Sequence, residues 1–244
     1  MMKATRDAVI RAASESPLMG REWLDRGVAP PGYIKGMALA YAVIYERFKN
    51  GDAEVKEMAE GVVKNRRDAI WRVFQEEVNP GLDVLRRLFL IMIGLGMRES
   101  SGEYNEGRDM SADNTTADTA ESGLFQQSWN SHFVSGQIEN MIEKYSENPD
   151  TGLWEVFREG VRPKTLRPYG TQGTRGEQFQ RIVIMCPLFA VEAAAICLRR
   201  LCTHFGPVVR GEVEIVEDAE NLLRWIESIV DSEKAVQVIV ADTE

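Results

Sequence analysis

The chain has 244 residues, 44% of them hydrophobic and 27% charged, with a formal net charge of −9. That balance builds a folded core and excludes an intrinsically disordered chain. It also makes duplex nucleic acid and anionic membrane surfaces poor partners, because both are bound through clustered Lys and Arg. A polysaccharide, held by hydrogen bonds and ring stacking, is not disfavoured.

The length suits one large domain with smaller appendages. Residues 1–31 read as a short N-terminal helix and a linker ending in Pro30-Pro31, residues 32–235 as a single helical domain, and 236–244 as a tail, either a short strand or a docked extension. The first residues carry positive charge but no continuous apolar stretch, so no ordinary secretory signal is read. The expected location is the cytoplasm, or outside it by a non-classical or phage-type route. From Gly32 to Asn50, Ile34, Met37, Tyr41, Ile44 and Phe48 recur at helical spacing. Val55 to Phe74 continue the pattern as one long helix or two short ones, closed by Asn79-Pro80-Gly81.

Leu82 to Met97 forms the third strong helix, amphipathic at first and apolar all round from Leu88 onward. Such a segment is packed on every side. It is also the longest apolar run and falls far short of a membrane span, so no integral membrane association is expected. Residues 100–121 are polar and suit a small hairpin near 104–120 or an ordered loop. Glu121 to Asn130 turns helical, and Ile138, Met141, Ile142 and Tyr145 mark a further helix. Residues 159–177 form a long structured loop. Phe179 to Leu201 is a helix bent at Pro187. Gly206 to Gly211 connects to a last helix with Leu222, Leu223, Trp225, Ile226 and Val230 on its inner side.

Cys186, Cys197 and Cys202 read as reduced, partly buried thiols, and with His204 they match no standard zinc spacing. No metal site is expected. The phosphate-cradling pattern G-x-x-x-x-G-K-[ST] is absent, and no cofactor is expected. Neither His132 nor His204 is spaced for a triad with Ser100.

The informative segment runs from Gly96 to Trp129. A greasy helix ends in Arg98-Glu99-Ser100-Ser101-Gly102, and a polar stretch then leads to Gly123-Leu124-Phe125-Gln126. A carboxyl group at the seam between an apolar core and a loop has its pKa raised, which is what a general acid needs. Cleavage of a glycosidic bond uses such a group. The plainer alternative is a helix-end Glu paired with an Arg.

In these two elements the chain resembles the lysozyme-like superfamily, closest to goose-type lysozymes and bacterial lytic transglycosylases. Those families end a buried helix in R-E-S or E-S, here Arg98-Glu99-Ser100. They follow it with G-L-M-Q, here Gly123-Leu124-Phe125-Gln126 with Phe in the Met place. The resemblance covers about a third of the chain. It implies a mostly α, lysozyme-like helical domain with a small β-hairpin or ordered loop beside the catalytic helix. It also implies a cleft for peptidoglycan glycan strands, with Glu99 as the acid that cleaves between N-acetylmuramic acid and N-acetylglucosamine. Where some goose-type enzymes carry an Asp after the second element, this chain has Ser128. The loop residues Asp118, Asp113 and Asp109, in that order, are the candidates for a second carboxylate. Gln126 and Ser101 are candidates for substrate contact or for ordering the turn. Tyr104, Phe125, Trp129 and Tyr169 are candidate cleft residues, the Tyr and Trp rings as stacking surfaces; Tyr169-Gly170 departs from the family's downstream Tyr pattern. A chitin-type aminosugar polymer hydrolase and a non-catalytic helical binding protein are the alternatives.

Overall fold

A computed structural model describes residues 1–108, 116–165 and 169–241. In chain order it holds α1 (Lys3–Glu15), β1 (Glu22–Trp23), β2 (Gly27–Val28), α2 (Pro31–Lys49), α3 (Ala53–Lys56), α4 (Ala69–Phe74) and α5 (Leu82–Ser100). These are followed by α6 (Gly136–Glu147), α7 (Trp154–Phe157), α8 (Arg175–Met185), α9 (Pro187–Leu201), α10 (Gly206–Arg210) and α11 (Glu217–Ala241). The architecture is mostly α with one small antiparallel hairpin, Glu22 opposite Val28 and Trp23 opposite Gly27.

α5 is the centre. Every residue from Leu88 to Met97 is buried, as its unbroken apolar composition requires. Its two glycines are where neighbours come closest. A Cβ on Gly94 would stand 2.2 Å from the Glu214 carbonyl oxygen, and one on Gly96 2.4 Å from the Tyr33 hydroxyl. That hydroxyl, carried by α2, donates to the carbonyl of Ile93 at 2.6 Å. α11 lies along the same core through Leu222, Leu223, Ile226 and Val230. Its Glu227 accepts from Arg86 of α5 at 2.7 and 3.0 Å and from Tyr41 of α2 at 2.5 Å, tying the three helices together.

Several elements differ from the periodicity. The hairpin lies at 22–28 rather than 104–120; of the latter stretch, 104–108 and 116–120 are irregular or turns and 109–115 lie outside the described residues. It nonetheless sits beside the end of α5, where Asp25 in its turn lies 3.9 Å from Arg98. Of the two readings of residues 53–74, the structure takes the short helices, α3 and α4, and not the long one. Asp68 stops and restarts the chain there by accepting from the Val63 amide at 2.9 Å and capping α4 at Ile70 and Trp71. Gln127 and Ser122 pair as an isolated bridge, and a six-residue 3-10 helix over Trp129–Val134 replaces the helix expected from Glu121. Pro187 does more than bend its helix: α8 and α9 are separate, turned by 112°. Residues 236–240, expected as a strand or extension, continue α11. Trp225 is exposed instead of inward-facing, because the stripe through Leu222, Ile226 and Val230 leaves it on the flank. Among the described residues, no single helix is long and apolar enough to cross a membrane.

Candidate functional site

α5 ends abruptly because Ser101 (φ 55°) and Gly102 (φ 76°) both take left-handed conformations. Their amides close the helix by donating to the carbonyls of Met97 at 2.9 Å and Gly96 at 3.1 Å. A side chain at Gly102 would have to fit where the Tyr33 ring lies 2.8 Å away, so this stop needs glycine. Glu99 is left on the last turn, half-buried, facing a groove of about 570 Å³.

The near bank is built by Ser100. Its hydroxyl lies within bonding distance of two carbonyls, Leu124 at 2.8 Å and Gly96 at 3.0 Å. It thereby fastens the Gly123-Leu124-Phe125-Gln126 turn to the end of α5. Gly123 (φ 75°) allows that turn to press on α8, with Val183 O only 3.0 Å from where a Cβ would stand. Gln126, itself left-handed at φ 45°, donates its side-chain amide to the carbonyls of Gly107 at 3.2 Å and Gly123 at 3.1 Å. The far bank comes from elsewhere in the chain: Arg26 of the hairpin turn, Arg210 at the end of α10, and Glu212. Arg210 holds Glu212 with two bonds, 2.6 and 2.9 Å, and Arg98 reaches the same carboxylate at 3.4 Å. Lys164 bridges Glu103 and Glu106 at 2.5 Å each on the groove's outer side.

These charges decide the state of Glu99. Burial pushes its carboxyl up, and the charge of Glu121 pushes further; Arg210 and Arg26 pull down, and Glu212 pushes up again. The balance puts the pKa at about 7. Arg98, its sequence neighbour, instead spends its guanidinium on Glu212 and Asp25.

Of the residues singled out from the sequence, Glu99, Ser101 and Gln126 line the groove. Tyr104, Phe125 and Trp129 are buried in the core. Trp129 stacks on His132 at 4.0 Å between ring centres and tilts against Phe179, so these rings pack the interior. Tyr169 is covered by the Arg108 guanidinium, 4.2 Å from its ring centre, and its amide donates to Gln180. Asp118 is exposed away from the groove, beside Gly176, with its carbonyl accepting from the Asn130 amide. Asp109 and Asp113 lie outside the described residues. The carboxylate acting on Glu99 from across the loop is Glu121, which the sequence reading passes over. Glu121 stands two residues from the Gly123 turn, nearer to it in sequence than Asp118. The three cysteines are buried and in no disulfide, and Cys202 donates its thiol to the Arg66 carbonyl at 3.3 Å.

A half-protonated carboxyl in an open groove, flanked by a second carboxylate and two arginines, can give a proton to a leaving oxygen and stabilise positive charge at the atom left behind. In comparison with known proteins, no family model, no curated protein and no solved structure matches this chain.

Proposed function

We propose that the chain cleaves the β-1,4 bond between N-acetylmuramic acid and N-acetylglucosamine in peptidoglycan, with Glu99 as the general acid. The observation that carries this reading is a groove-lining carboxyl with a pKa of about 7. An ordinary Glu is protonated to well under about 1% at neutral pH, whereas this one is about half protonated. The proton goes to the glycosidic oxygen as the C–O bond breaks, and the oxocarbenium character that develops is met by negative charge from Glu121. Arg26 and Arg210 keep Glu99 from becoming so weak an acid that it would not release its proton.

The test is digestion of purified glycan strands by wild type and Glu99→Gln, read as muropeptides by mass. Wild type is expected to release fragments, with anhydro ends marking attack by the substrate's own hydroxyl and reducing ends marking water. Glu99→Gln is expected to lose at least about a hundredfold in rate with its fold intact, the scale of one general acid. Full activity in that variant, or release from chitin but not peptidoglycan, overturns the proposal.

A further inference from the structure

A second, larger recess of about 900 Å³ adjoins the groove, and Arg210 lines both. Arg66, Arg72 and Arg210 line it, with the half-buried Trp71 as an apolar wall, and no carboxylate belongs to its lining. In a chain with a net charge of −9, Arg66 and Arg72 face this hollow without an ion pair among the described residues, a local inversion of sign, while Arg210 is held by Glu212. Lys64, itself paired with Glu77, adds a further cation 6.0 Å from the centre of the Trp71 ring.

The cations are held by a braced frame. The loop carrying Arg66 is pinned by the Cys202 amide, which donates to Arg67 O at 2.8 Å, and by the Cys202 thiol on Arg66 O. Asp68, next along, is buried and paired with the buried Arg199 at 2.6 Å, and it caps the helix that presents Trp71 and Arg72. Arg72 donates to the Val209 carbonyl, closing the frame onto α10. Arg66 is exposed and has no ion pair among the described residues. A guanidinium facing open space, as that of Arg66 does from a pinned backbone, recognises planar anions, and a carboxylate matches its fork.

We propose that this recess binds the carboxylates of the acidic peptide branch carried by the glycan, next to the bond that Glu99 cleaves. The proposal rests on the glycosidase reading for the identity of the polymer; the ligand chemistry follows from the recess alone. The arginines would steer a branched anionic strand to an otherwise acidic protein, and Trp71 would pack against the branch's apolar atoms.

The test measures binding in the Glu99→Gln background, where substrate persists, with and without Arg66→Gln or Arg66→Lys. The probes are peptide-bearing glycan fragments, the same fragments with their peptides removed, fragments with amidated carboxylates, and the free branch peptide. Arg66→Gln is expected to weaken the peptide-bearing fragment and the free peptide roughly tenfold, the worth of one charge-assisted contact of about 1.4 kcal/mol. Binding of stripped and amidated fragments should stay unchanged, and Arg66→Lys should recover part of the loss. Equal binding of all fragments, or indifference to Arg66→Gln, overturns the recess proposal even if wild type digests glycan. Arg66-dependent binding of free peptide by a protein that cleaves no glycan sustains the recess and sinks the glycosidase reading.

Discussion

At the scale of single residues, Glu99 makes the behaviour of the protein with pH calculable. On the proposed reading its acid form is the working form, so the alkaline limb of the rate profile is expected to fall through pH 7. Glu121 is among the causes that raise this pKa. Glu121→Gln should therefore shift the alkaline limb to lower pH, and the shift should shrink with added salt. A fall in maximal rate together with that shift assigns Glu121 a role in the reaction beyond its charge. The same proton binding is linked to folding. Because the folded pKa is raised above 4.5, the native state holds the proton more tightly than the unfolded chain. That contribution is fully present below about pH 4.5 and is lost as pH rises through 7. Its size is on the order of 3 kcal/mol. Glu99→Gln should flatten this part of the melting temperature against pH curve, a measurement independent of any substrate.

At the scale of elements, the end of α5 depends on bonds from one small side chain. Ser100→Ala leaves the buried Leu124 carbonyl without its hydroxyl partner and is expected to cost about 1–3 kcal/mol in denaturant unfolding. It should also lower the cleavage rate more than it changes substrate affinity, since it loosens the acid relative to the opposing turn. Gly96→Ala meets the Tyr33 hydroxyl and should destabilise by a similar amount or more. The central helix is legible from sequence because burial on every side imposes an apolar composition that local reading detects. The groove is only half legible. Glu99 and Gln126 stand in a local pattern, but Arg26 and Arg210 arrive from chain positions more than seventy residues away on either side, and nothing in their neighbourhood marks them. Between one helix and two over residues 53–74 the sequence leaves the choice open for the same reason: Asp68 looks like an ordinary surface carboxylate until Arg199 of α9 is placed against it. Trp129 and Tyr104 misled in the opposite direction, since an aromatic side chain suits a core as well as a sugar.

At the scale of the whole molecule, two buried ion pairs join distant segments. Arg199 pairs with Asp68 and donates to the carbonyls of Glu60 and Gly61. Arg47 of α2 pairs with the fully buried Glu192 of α9. Arg199→Met strips Asp68 of its partner in the interior and is expected to cost about 3–5 kcal/mol, measured by urea unfolding. Since Asp68 also frames the recess with Arg66, the same variant at a temperature where it stays folded should bind the free branch peptide less tightly.

Both sides of the groove are mounted on one rod. Ser100 clamps the Gln126 turn to the tip of α5, while Gly94, two turns earlier, receives the backbone at Glu214, whose side chain in turn accepts the Leu24 amide of the hairpin. The opening is thus tied on both sides to the same helix. On the proposed glycosidase reading, choice among polymers would then fall on width and charge already present before contact, with a strand too thick for the slot refused at the entrance.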